Sequence, residues 1–124
     1  MRLSAEEFAD LVDEALAEIP PGFRHYLDNV VVDVEDLPDR RTLRSVGLDD
    51  RRDLLGLYHG TPLTERSFEH PPEVPDRVVL YKRNIDAMCR TRREVVEQIR
   101  TTVLHEVGHH FGMGEEELDE LGYG

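Results

Sequence analysis

Hydrophobic positions recur along this chain with more than one period. From Phe8 to Ile19, apolar residues (Phe8, Leu11, Val12, Ala15, Leu16, Ile19) return every three or four positions, which places them on one face of a helix. Ser4 and Glu7 precede them with capping-box spacing, and Pro20, Pro21 and Gly22 end the pattern. The period then shortens. The β-branched run from Asn29 to Val34 predicts a strand, Leu54–Tyr58 a second, closed by a turn at Gly60, Thr61 and Pro62, and Arg77–Lys82 a third. Residues 35–52, with Pro38, Gly47 and interleaved aspartates and arginines, read as a mobile surface loop. Its arginines (Arg40, Arg41, Arg44, Arg51, Arg52) are expected on a solvated face. The stretch up to Pro75, rich in Pro, Glu and His, also reads as loop.

A long helical pattern returns in the last third. Thr91 and Glu94 have capping-box spacing, and neither Pro nor Gly interrupts the chain until Gly108. Val95, Val96, Ile99, Val103 and Val107 share a face with His110, and Gly112 after Phe111 suits a left-handed C-cap. The helix therefore spans about Thr91 to Phe111. Arg92 and Arg93 oppose the dipole of a first turn, which would be relieved if the helix began a few residues earlier. An acidic helix is expected to follow from near Glu115. Strands followed by a long helix, with another helix at the N-terminus, imply an α+β fold.

The 124 residues suit one compact domain spanning 1–124, with 39% hydrophobic residues for its core. A net charge of −12 argues against nucleic acid or an anionic membrane as partner. Cys89 is the only cysteine, so no intramolecular disulfide forms; it reads as a small buried hydrophobe. Acidic residues at the N-terminus in place of an apolar signal core, and no run of membrane-spanning length, make a cytoplasmic location the expectation.

The chemistry is concentrated near the end of the long helix. His105 and His109 are four residues apart, so their imidazoles project from one face one turn apart and can meet at a single metal ion. Neutral imidazole is a good zinc ligand. Glu106, adjacent to His105, is set to one side, where it can act as general base on a zinc-activated water attacking a carbonyl carbon. A catalytic zinc also needs a third protein ligand. His105-Glu106-Val107-Gly108-His109-His110-Phe111-Gly112-Met113-Gly114-Glu115 fits HExxHxxGxx followed by a ligand-capable residue, and resembles the metzincin pattern with Glu115 in the third-ligand place. Gly112 would turn the chain back so that Glu115 reaches the metal. Glu116, Glu117, Asp119 and Glu120 are alternatives; Glu116, Glu117 and Glu120 are better read as a favourable acidic first turn and a solvated face, which leaves Asp119 as the competitor. His110 is expected to point elsewhere, and His25, His59 and His70 receive no ligand role.

Four segments together resemble the bacterial family of minimal zincin-like metallopeptidases. They are His105–Gly112, the tail Glu117–Tyr123, Gly56-Leu57-Tyr58-His59-Gly60-Thr61-Pro62-Leu63-Thr64-Glu65-Arg66, and Leu80-Tyr81-Lys82-Arg83-Asn84-Ile85. Members of that family typically carry Asp where this chain has Glu115. The resemblance implies a reduced zincin fold: a small mixed sheet of about three strands, backed by an N-terminal helix and the active-site helix. It also implies a bound Zn2+ and a peptidase acting on peptides or unfolded protein. In larger zincins an edge strand pairs with extended substrate above the metal; here either the third strand or Leu54–Tyr58 would serve.

Only nine residues follow Glu115, too few for the lower subdomain of larger metzincins, so the cleft should be shallow. Tyr123, His59, Tyr81 and Arg66 are the candidates for stabilising an oxyanion. Three functions fit these residues: a zinc peptidase, a non-catalytic zinc-stabilised module that binds peptide or protein, and a zinc hydrolase acting on another amide.

Overall fold

A computed structural model describes residues 1–60 and 75–120. The turn expected at Gly60-Thr61-Pro62, the Pro-rich loop after it, and Arg66, His70 and Tyr123 lie wholly or partly outside these residues.

Helix α1 spans Ala5–Ala17. Its capping box is complete: the Glu7 N–H donates to Ser4 Oγ at 3.1 Å, and the Ser4 N–H donates to the Glu7 carboxylate at 2.9 Å. Phe8, Leu11, Val12 and Ala15 form its buried face. A 3-10 turn, Pro21–Leu27, follows and buries Phe23.

Strands β1 (Val30–Glu35), β2 (Gly56–His59) and β3 (Asp76–Tyr81) form a mixed sheet in the order β1-β3-β2. β3 runs parallel to β1 and antiparallel to β2. Being central, β3 is covered on both faces, so its Val78-Val79-Leu80-Tyr81 run is buried without alternation. The two strands named as a possible substrate edge differ in their pairing. β3 is paired on both sides, whereas β2, among the described residues, is an edge strand lying against the long helix.

The stretch expected to be loop between 35 and 52 carries its own structure. Helix α2 (Arg40–Ser45) starts at Asp39, whose side chain accepts the Thr42 N–H at 2.7 Å, and is anchored by buried Leu43. A 3-10 turn follows at Arg51–Asp53. Lys82, expected to end the third strand, instead opens helix α3 (Lys82–Met88). Its ammonium lies 2.7 Å from Asp86 one turn on, and the Asn84 amide donates to the carbonyls of Arg51 and Leu54.

Helix α4 (Arg92–His110) begins where Thr91 caps it, accepting the Glu94 N–H at 3.1 Å, and does not extend further back. Arg92 and Arg93 are tolerated in its first turn because they pair across to α1, Arg92 with Glu7 and Arg93 with Glu18 at 2.8 Å. α4 packs against α1, α3, β2 and β3, and buries Val95, Val96, Ile99, Val103, Leu104 and Val107. Helix α5 (Glu115–Glu120) returns over its end.

Candidate metal centre

The end of α4 is shaped by Gly112. Its φ is +79°, and the Met113 N–H donates to Gly108 O at 2.8 Å while the Gly112 N–H donates to His109 O at 3.0 Å. These two bonds are the Schellman closure, which turns the chain sharply back. A second glycine permits the return. A Cβ at Gly108 would stand 2.9 Å from Leu118 Cδ2, so the missing side chain lets α5 lie directly on α4. Leu118 is fully buried there, a burial worth about 1.5–3 kcal/mol.

This return brings Glu115 to the histidine pair. One Glu115 oxygen lies 3.3 Å from His109 Nε2 and the other 3.8 Å from His105 Nε2. The two imidazoles face each other with centroids 5.9 Å apart. Among the described residues, Glu115 is the member of the acidic run within ion-pair distance of both; Glu116, Glu117, Asp119 and Glu120 are solvent-exposed.

His105 Nε2 is buried, yet has no hydrogen-bond partner among the described residues. An orphaned buried nitrogen is costly unless something else fills its lone pair. Two imidazoles and a carboxylate are a borderline donor set that suits zinc. Ligand atoms of a tetrahedral zinc stand about 3.3 Å apart, which matches the His109–Glu115 separation and is shorter than that of His105–Glu115. Accordingly, among the described residues no group of three or more His, Cys, Asp or Glu side chains is arranged closely enough to hold a metal ion. The residues fit the ion in kind, with Glu115 at 3.3 Å from His109 Nε2 and 3.8 Å from His105 Nε2.

Glu106 is held apart from this group. Its carboxylate accepts the backbone N–H of Tyr58 at 3.1 Å, across the outer edge of β2. Burial pushes the Glu106 carboxyl above the usual carboxylate range, offset in part by the Tyr58 N–H and by His109, His105 and His59. The sequence offered no direct sign of this Tyr58 contact, which depends on strand register. Tyr58 also stacks on His110 with centroids 3.9 Å apart, so His110 does point away from the histidine pair.

Of the residues considered for an oxyanion, Tyr81 is excluded by position. It is buried at the far end of β3 from Asp76, where its phenol interacts with Thr42. His59 lies on β2, close enough to influence Glu106. A cavity of about 600 Å³ opens at that far end too, lined by Met1, Leu3, Asp36, Lys82, Arg83 and Asp86. It does not adjoin the motif and contributes nothing to the chemistry described here.

A small mixed sheet set against a helix that carries HExxH near its C-terminal end is the architecture of a reduced zincin. The chain belongs to the zincin-like metallopeptidase family, whose profile matches residues 27–124. Among solved structures it is similar to a conserved hypothetical protein from Thermus thermophilus, with 26% identity and a TM-score of 0.54 over 94% of this chain and 98% of that one. No curated protein sequence matches it. No helix among the described residues is long and apolar enough to cross a membrane.

Proposed function

We propose that this protein is a zinc-dependent peptidase in which His105, His109 and Glu115 hold the metal and Glu106 is the general base. The observation that carries this reading is the placement of Glu106: half-buried, fixed by the Tyr58 N–H, and beside the histidine pair that Glu115 approaches. Zinc, when bound, supplies Lewis-acid chemistry, polarising a carbonyl and lowering the pKa of water. Glu106 takes the proton of the attacking water and returns it to the leaving amine nitrogen; its raised pKa suits it to both transfers. The outer edge of β2 is the place for an extended peptide, since among the described residues β2 is an edge strand and lies beside the motif helix.

Glu106→Gln keeps the size and the acceptor but cannot take a proton. It should lower turnover of a peptide library by about 10²–10⁴-fold while one zinc per chain stays bound. Full activity in this variant would sink the assignment of Glu106, and loss of zinc would move Glu106 into the ligand set.

A second reading rests on openness. The Glu115 side chain is 63% exposed and that of His109 50% exposed, so the site excludes little water. This favours a non-catalytic module in which zinc stiffens the fold and the β2 edge binds a peptide. That reading requires strong destabilisation on chelation with no hydrolysis of any library.

A further inference from the structure

The metal ligands and the general base leave unexplained a second polar group beside them. Tyr58, Asp76 and His110 come from β2, the first residue of β3 and the last residue of α4. The Tyr58 hydroxyl donates to Asp76 Oδ2 at 2.6 Å, and its ring lies flat on His110, with 12° between the planes. His110 Nε2 stands 3.9 Å from the same Asp76 oxygen. Asp76 is only 5% exposed, and its own N–H donates to Asn29 O at 3.0 Å. The backbone leaving β2 closes over the group: a Cβ at Gly60 would come within 2.7 Å of the Tyr58 ring and 3.0 Å of Asp76 Oδ2.

We propose that Tyr58, Asp76 and His110 form a positioning cluster that locks the β2 edge to the end of α4 and so keeps the Tyr58 N–H aimed at the Glu106 carboxylate. The inference rests on Glu106 being the general base. Packing alone does not call for these residue types. A phenylalanine at 58 would stack on His110 equally well, and an apolar residue at 76 would avoid burying a carboxylate. What the polar residues add is direction. The phenol bond restrains the Tyr58 side chain along the strand, and the stack restrains it against α4. The N–H that holds Glu106 belongs to the same residue. At 3.1 Å that N–H to carboxylate bond tolerates only a few tenths of an ångström of strand slippage. Because the cluster acts through Glu106, its members are positioning residues and not catalytic ones.

Amide hydrogen exchange by NMR reads the cluster without any substrate. Three variants separate its parts: Tyr58→Phe removes only the hydroxyl, Asp76→Leu removes the acceptor, and Asp76→Asn keeps an acceptor. In metal-free protein, the Tyr58 amide should exchange at least about tenfold faster in Tyr58→Phe and Asp76→Leu, while Leu57 and Val79 in the β2–β3 ladder change by less than about twofold. Asp76→Asn should restore most of the protection. In zinc-loaded enzyme the same two variants should lower kcat by about tenfold with KM nearly unchanged.

A Tyr58 amide as protected as in wild type would overturn the proposal, and so would loss of protection spread evenly over β3 and α4. If Asp76→Leu fails to fold, Tyr58→Phe alone decides. Selective loss of Tyr58 protection in a protein that hydrolyses no peptide would sustain the cluster and count against the peptidase reading, so the two failures are distinct.

Discussion

Gly112 and Glu106 carry most of the local demands of the site. At Gly112, φ is +79° and nothing lies within 4 Å of where a Cβ would stand, so Gly112→Ala probes backbone conformation with no steric clash. The variant should lose about 1–2 kcal/mol in denaturant unfolding and bind zinc more weakly in chelator competition, because Glu115 depends on this turn. At Glu106 the folded pKa is raised, so ionisation is penalised by burial as pH climbs through that value, and the penalty is absent below the unfolded value. Metal-free Glu106→Gln, neutral throughout, should therefore unfold at a higher temperature than wild type near pH 7 and lose that advantage in acid. That His105 and His109 meet on one face was legible from spacing alone, since helix geometry converts four residues into about one turn. Asp76 was not. No spacing or motif marked it, and it is buried where β3 begins, with the Tyr58 hydroxyl donating to it.

Short elements were the hardest to foresee. α2 and α3 are six and seven residues long, too short for a hydrophobic period to declare itself; the Asp39 cap holds one, and the Lys82–Asp86 pair with the long-range bonds of Asn84 to Arg51 and Leu54 holds the other. α5 is no better able to persist alone. Its attachment is Leu118 seated on Gly108, so Leu118→Ala should undock it at a cost of about 2–5 kcal/mol. Zinc affinity should fall with all three ligands intact, as titration against a competing chelator would reveal; unchanged affinity would show that Glu115 is not a ligand. The start of α1 responds to acid. Its capping box with Ser4, and then Arg92, holds Glu7 down to about 2 from 4.5. A depressed pKa contributes stability above the unfolded value and loses it as pH falls through the folded one. Thermal unfolding should thus weaken between about pH 4.5 and 2, and Glu7→Gln should flatten that part of the profile.

At the scale of the whole molecule, the proposed metal would join two neighbouring helices, and the general base beside it is held by a distant strand. His105 and His109 belong to α4, Glu115 to α5, and Glu106 is restrained by β2. A ligand bound only by the folded chain stabilises it by mass action. Protein purified without added metal should carry about one zinc by elemental mass spectrometry, His109→Ala should carry none, and chelation should lower the melting temperature by several degrees. Absence of zinc, and no uptake on addition, would remove the basis for the peptidase and the zinc-stapled module alike.

Periodicity and punctuation were enough to foretell α1, α4 and the three strands, and the motif segments carried the family resemblance, because these depend on residues close together in the chain. The order β1-β3-β2 was beyond reach: strand pairing is a choice among distant segments, and only that choice makes β2, among the described residues, the edge beside the motif helix. The same holds for Leu118 on Gly108, for the Tyr58 N–H on Glu106 and for Asp76 beneath Tyr58. Each joins residues that local sequence leaves independent, and each exists only once packing has set the distance between them.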